Sequence, residues 1–222
     1  MQSNCRNMLG FKELINRYRH NRGFGVQSPR AFHFVTSVLK ESHPYYDYAF
    51  INGVAAKCDG GKSAHCRMLY RIVNHVQPSN IVMFAPHGVA ACAIAAAKRH
   101  VPAYVLNAPS TISLPEVASF MAARGCRMLS GGISPVIDAT DKIGLLYVGR
   151  SFSYAAVVEE AIKHVAPDSV IIVEKIHSSP EMRQWWQKIK EHPEVCVTFD
   201  LYSMGLLFFD KNYKKQHYTL KM

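Results

Sequence analysis

Between residues 80 and 174 the chain alternates short, nearly unbroken apolar runs with amphipathic stretches, and no other feature restricts its fold as much. The runs at 80–84, 103–107, 143–148 and 168–174 are too short for helices and lack a polar face, so they read as strands buried on both sides. A further strand is expected at 126–130. The segments 89–99, 114–123 and 154–164 have helical periodicity and fall between the strands. Fully apolar strands separated by helices predict a parallel sheet covered on both faces. The end of the chain departs from this pattern. After an expected helix at 180–190, strands at 195–202 and 206–210 are joined only through Ser203, Met204 and Gly205. Strands linked so closely must run antiparallel. The fold class is therefore α/β: a Rossmann-like, doubly wound, mostly parallel seven-stranded sheet that finishes in an antiparallel hairpin.

Upstream, residues 10–20 place Phe11, Leu14, Ile15 and Tyr18 at helical spacing. Ser28 followed by Pro29 is a helix start, with Phe32, Val35, Val38 and Leu39 recurring on one face to about Lys40. Residues 41–60 are aromatic and rich in turn formers, with Tyr45, Tyr46, Tyr48 and Phe50 suited either to a lid or to a clamp. A helix is expected at 65–76. The organisation expected is a helical arm with an aromatic lid segment over 1–60, packed on a main domain over 61–222.

Composition narrows the function classes. The chain is 49% hydrophobic over 222 residues, enough for one large domain with a sizeable core. Its longest apolar stretch, 89–97, is too short and alanine-rich to span a bilayer, and the first twenty residues carry four cations without a secretory apolar region. No membrane partner is expected, and a cytoplasmic location is. Six cysteines without CxxC spacing fit reduced thiols, and Cys58, His65 and Cys66 lack the second ligand pair of a metal site, so no metal is expected. The net charge of +10 leaves two readings open: a basic surface serving solubility, or a nucleic-acid face built from Arg17, Arg19, Arg22 and Arg30 with Lys211, Lys214, Lys215 and Lys221.

Three stretches carry a family resemblance. GFGVQSPRAFHFVTSV within 22–38 resembles GHGIHSPFVFDFVTKV, VGRSFSY at 148–154 is similar to a strand ending in DGNHTY, and EKIHSSPEMRQWWQKIK with VTFDLYSMGLLFF in 174–209 resembles a DDIHWS block and a TIDLF ending. The family is that of S-adenosylmethionine-dependent methyltransferase-like proteins of Bacteroidetes type, related in fold to the catechol O-methyltransferase group. The resemblance implies a class I methyltransferase fold in a bacterial protein, S-adenosylmethionine as cofactor if the chain is active, and a small-molecule or protein acceptor. It places the cofactor at Ala85, His87, Gly88, Asn107 and Gly149, beyond the carboxyl ends of the first, second and fourth strands. It also places a catalytic acid or base at Glu174, with His177 three residues on. The bland alternative pairs Glu174 with Lys175 or an arginine.

Each of these positions departs from the family pattern. Met83 stands where an acid is expected, and Ala85 and Pro86 replace a glycine-rich turn, Pro86 also removing a backbone donor. Asn107 replaces the acid that would accept from both ribose hydroxyls. Gly149 replaces an aspartate, and Glu174-Lys175 replaces paired aspartates. The expectation is a degenerate cofactor site and a protein that is inactive as a transferase, a pseudoenzyme. The alternative is a non-catalytic scaffold that engages a protein or nucleic acid, its old cleft filled by Met83, His87 and Phe152. On the helix after the fifth strand, Trp185 and Trp186 are neighbours, and only one is expected to face inward.

Overall fold

The computed structural model describes residues 28–58 and 63–220. The helix expected at 10–20 and, of the basic positions named above, Arg17, Arg19, Arg22 and Lys221 lie outside them. The eight strands are β1 (Ile81–Phe84), β2 (Ala103–Leu106), β3 (Arg127–Leu129), β4 (Ile143–Val148), β5 (Val165–Glu174), β6 (Val197–Asp200), β7 (Met204–Phe208) and β8 (Gln216–Thr219). They form one sheet in the order β3-β2-β1-β4-β5-β7-β6-β8. Strands β1 to β5 are parallel, β7 inserts antiparallel between β5 and β6, and β8 lies parallel to β6 at the edge.

The apolar strands split their side chains between two cores, as a pleat buried on both faces requires. Ile81, Met83, Leu145, Tyr147, Val170 and Ile172 face one side. Val82, Phe84, Leu146, Val148, Ile171 and Val173 face the other. On the first side lie helices α1 (Pro29–Phe34), α2 (Tyr48–Lys57), α3 (Ser63–Val76), α4 (Gly88–Ala97) and α5 (Pro115–Ala123). The second side carries α6 (Ser134–Thr140), α7 (Tyr154–Ile162) and α8 (Pro180–Lys190). Helix α1 starts as its sequence indicates, with the Ser28 side chain accepting from the Ala31 amide and Pro29 in the first turn. It continues as a π-turn over Val35–Leu39. Arg71 on α3 satisfies the exposed end of that turn, donating to the carbonyls of Val38 at 2.7 Å and Leu39 at 2.8 Å.

Three elements were not anticipated. Residues 48–57, read as turn-rich, form α2 because Tyr48, Ile51 and Val54 make a buried stripe that the aromatic density of the segment obscures. Helix α6 fills the connection from β3 to β4. Strand β8 is polar and only partly buried, so no alternation marks it, and it forms because the edge of β6 offers unpaired backbone groups. The hairpin link is Leu201, Tyr202 and Ser203, with Met204 already in β7. The aromatic segment acts as a clamp. The rings of Tyr45, Tyr48 and Tyr70 lie 5.3 to 5.6 Å apart, Phe50 stacks on Phe120 at 4.3 Å, and Tyr46 is left in solvent.

Both tryptophans of α8 are buried, contrary to the expectation of one. Trp185 meets Tyr154 of α7 edge-on, with ring centroids 4.9 Å apart, while Trp186 lies under β7 at Gly205. A Cβ at Gly205 would stand 2.3 Å from the indole ring, so the glycine is what admits Trp186 beneath the sheet. The buried face of α8 is broad enough for neighbours roughly 100° apart.

Candidate functional site

In a parallel sheet of this order, ligands are expected where the strand order reverses, between β1 and β4 at their carboxyl ends. Ala85, His87, Gly88, Asn107 and Gly149 all lie along that edge, on the loops leaving β1, β2 and β4. Their geometry is closed upon itself. Ala85 extends the ladder, donating its amide to the Leu106 carbonyl at 2.8 Å, then turns with φ of +45°. Its carbonyl then lies over the tip of β4, where a Cβ on Gly149 would be only 2.1 Å away. Glycine is therefore the one residue type that this position tolerates with the loop as it runs.

Helix α4 begins at Gly88. His87 caps it with an extended backbone but without a side-chain hydrogen bond. The Gly88 amide donates to Thr111 Oγ1 at 3.2 Å, and a Cβ on Gly88 would be 2.8 Å from the Thr111 carbonyl. Asn107 follows β2 with φ of +51°, a conformation asparagine tolerates better than most. Its amide is engaged on both sides: Nδ2 donates to the Gly131 carbonyl and Oδ1 accepts from the Gly131 amide, each at 3.0 Å. Met83 packs into the sheet, and Phe152 stands fully in solvent, so neither fills the cleft as expected. Backbone, rather than side chains, occupies the space.

The other half of the edge, at β5 and β7, is built from charge. Glu174 ends β5 and is mostly buried. Its partner is His65 on α3, whose Nε2 lies 2.7 Å from Glu174 Oε1. Burial alone would raise the Glu174 carboxyl, but the hydrogen bond and charge of His65, the Tyr147 hydroxyl and the Lys175 cation outweigh it and hold the group below its ordinary range. Tyr147, wholly buried in β4, is pushed far above the usual phenol range by burial and by the facing Glu174 carboxylate, without a regular hydrogen bond between the two. The other face of the imidazole meets Ser203, with Oγ 3.4 Å from His65 Nδ1.

His177 is not brought to Glu174. Its Nε2 lies 2.7 Å from Asp200 Oδ2, both side chains being 8% exposed, and its ring stacks on Tyr202 with centroids 5.2 Å apart. The second Asp200 oxygen accepts from the Tyr202 amide at 2.9 Å. This pair braces the β6–β7 link. Glu174 is thus a paired charge, as the bland reading has it, but its partner is a histidine 109 positions away in the sequence.

Sequence reasoning did not identify Ser203, Asp200 or Tyr147 as site residues, and weighed His65 only as a metal ligand. An acid closing a strand, as Asp200 closes β6, is the one local signal that was available. The described basic positions at the chain end are partly neutralised: Lys211 pairs with Glu194 at 2.9 Å and Lys215 with Glu191 at 3.8 Å. Among the described residues, no helix is long and apolar enough to cross a membrane.

No protein-family model matches the chain, and neither does any curated protein. Solved structures do. A methyltransferase from Podospora anserina, crystallised with S-adenosylhomocysteine, superimposes with a TM-score of 0.59 at 11% identity, covering 82% of this chain and 96% of that one. The O-methyltransferase TomG from Streptomyces achromogenes, in complex with S-adenosylmethionine, gives 0.57 at 13% identity over 87% and 98% of the two chains. An O-methyltransferase from Bacillus cereus, in complex with S-adenosylhomocysteine, gives 0.55 at 13% identity over 81% and 97%. The fold is that of the class I methyltransferases, with β8 added at the edge.

Proposed function

We propose that this protein keeps the methyltransferase fold but does not draw on S-adenosylmethionine, and that its working groups lie at β5 and β7 rather than at the tips of β1, β2 and β4. One observation carries the reading: the Ala85 carbonyl stands 2.1 Å from where any side chain at position 149 would begin. The reciprocal Asn107–Gly131 bonds support it, because a ribose would have to displace both, and no carboxylate stands there to reward the exchange. The residues present therefore do not fit an adenosyl group. Isothermal titration with S-adenosylmethionine and with S-adenosylhomocysteine tests this. The expected result is no heat at millimolar ligand, and a micromolar dissociation constant for either would restore a transferase.

A further inference from the structure

We propose that Ser203, His65 and Glu174 form a nucleophile, base and orienter that cleave carboxylic esters through an acyl-Ser203 intermediate. The inference rests on the reading above only in placing the chemistry at β5 and β7.

Hydrogen-bond roles follow from the partners. A carboxylate only accepts, so the 2.7 Å contact with Glu174 assigns the ring proton of His65 to Nε2. Whenever the ring is uncharged, its Nδ1 lone pair faces the Ser203 hydroxyl, which donates. This order of roles matches a serine–histidine–carboxylate relay with the two ring nitrogens exchanged, and such relays are recognised by geometry rather than by chain order. At 3.4 Å the contact is long, as catalytic hydrogen bonds often are in the absence of substrate. Accessibility is graded suitably: the His65 side chain is 20% exposed, Glu174 12%, and Ser203 is half-buried.

The backbone supplies an independent observation. Tyr202, immediately before Ser203, has φ of +68°, and Lys175, immediately after Glu174, has φ of +58°. Lys175 donates its amide to the Ser203 carbonyl at 2.7 Å, so the two left-handed turns are fastened to each other. Non-glycine residues in this region persist only where their surroundings hold them, as also happens at Ala85 and Asn107. Cys66, beside His65, does not compete as the nucleophile, since burial pushes its thiol up to about 12.

In the acylation step the Ser203 proton passes to His65 Nδ1 while Oγ bonds to the ester carbonyl carbon. The carbon–alkoxy bond then breaks, and the leaving alkoxide takes the proton from Nδ1 and departs as the alcohol. Water repeats the sequence, giving one proton to Nδ1, adding its oxygen to the acyl carbon and releasing the acid. The Nδ1 proton returns to Ser203, so the cycle needs no co-reactant. Glu174 acts as a positioning residue throughout.

The test is labelling by an alkyl fluorophosphonate, read by intact mass and peptide mapping, alongside turnover of p-nitrophenyl butyrate. One adduct on Ser203 is expected. It should be absent in Ser203→Ala, form at least tenfold more slowly in His65→Gln and Glu174→Gln, and recover in part in Glu174→Asp, with ester turnover following the same order. Thermal melting of each variant separates loss of chemistry from loss of fold, and Ser203→Ala removes only a hydroxyl. No adduct on the wild-type chain, an adduct elsewhere, or unchanged labelling in folded His65→Gln and Glu174→Gln would overturn the proposal. Calorimetry reads the cofactor cleft and labelling reads Ser203, so the two readings fail separately.

Discussion

The two halves of the sheet's carboxyl edge meet their polar obligations in opposite ways. At β1, β2 and β4 several groups are turned inward: Asn107 on Gly131, the Gly88 amide on Thr111, and the Ala85 carbonyl over Gly149. At β5 and β7 a carboxylate, an imidazole, a hydroxyl and a phenol converge. A half that bonds such groups within its own loops is braced by them. One that keeps a buried charge against a half-open histidine retains chemistry.

The largest effect should come from beneath the polar half. Gly205→Val drives a side chain into the Trp186 ring, which is wholly buried and cannot retreat. A loss of about 3 kcal/mol or more is expected, seen as a fall of roughly 10 °C in melting temperature. A variant that melts like the wild type would mean that the floor under β7 yields freely.

On the closed half, Gly149→Asp restores the family's acid but sets its Cβ against backbone. About 2 kcal/mol should be lost in chemical denaturation, with no heat gained on titration with S-adenosylmethionine. Tolerance of the aspartate, or the appearance of binding, would erase the contrast between the halves by showing that the loop moves aside.

Glu174→Gln sharpens the contrast through pH. The folded carboxyl lies below its ordinary range, so its contribution is present above the unfolded value near about 4.3 and is lost as pH falls through the lowered folded value. The variant should be less stable by about 1.5 kcal/mol at pH 7, the scale of a hydrogen bond to a charged group, and the two proteins should converge in acid. A gap that is constant with pH would show that the His65 pair carries no net electrostatic stabilisation.

The smallest effect belongs to Asn107→Asp, which keeps the acceptor for the Gly131 amide but loses the donor to its carbonyl. About 0.5–1 kcal/mol should be lost, measured by the same denaturation, with no change in the response to the cofactor.

Much of the scaffold was legible because apolar runs such as Ile143–Val148 and Val170 to Val173 leave a chain no alternative to a doubly covered sheet. Helix α2 and strand β8 were not, for opposite reasons: the first is crowded with aromatics that resemble a loop, and the second is a polar edge strand defined only by its neighbour. At the candidate site the departures from the resembled pattern were readable one by one, Gly149 for an aspartate and Asn107 for an acid. The partners were not, since nothing near Glu174 in sequence points to His65, and the nearby His177 belongs to Asp200.

By itself the sequence determined most of the alternation of strands and helices, the antiparallel finish and the residue types at the strand tips, because each is written in local pattern and residue type. Tertiary structure alone decided that Ala85 covers Gly149, that both tryptophans turn inward, and that Ser203, His65 and Glu174 meet. Those outcomes depend on how strand tips and a helix from distant parts of the chain are brought side by side, and the hydrogen bonds and close contacts that result act over a few ångströms of space, whatever the separation along the chain.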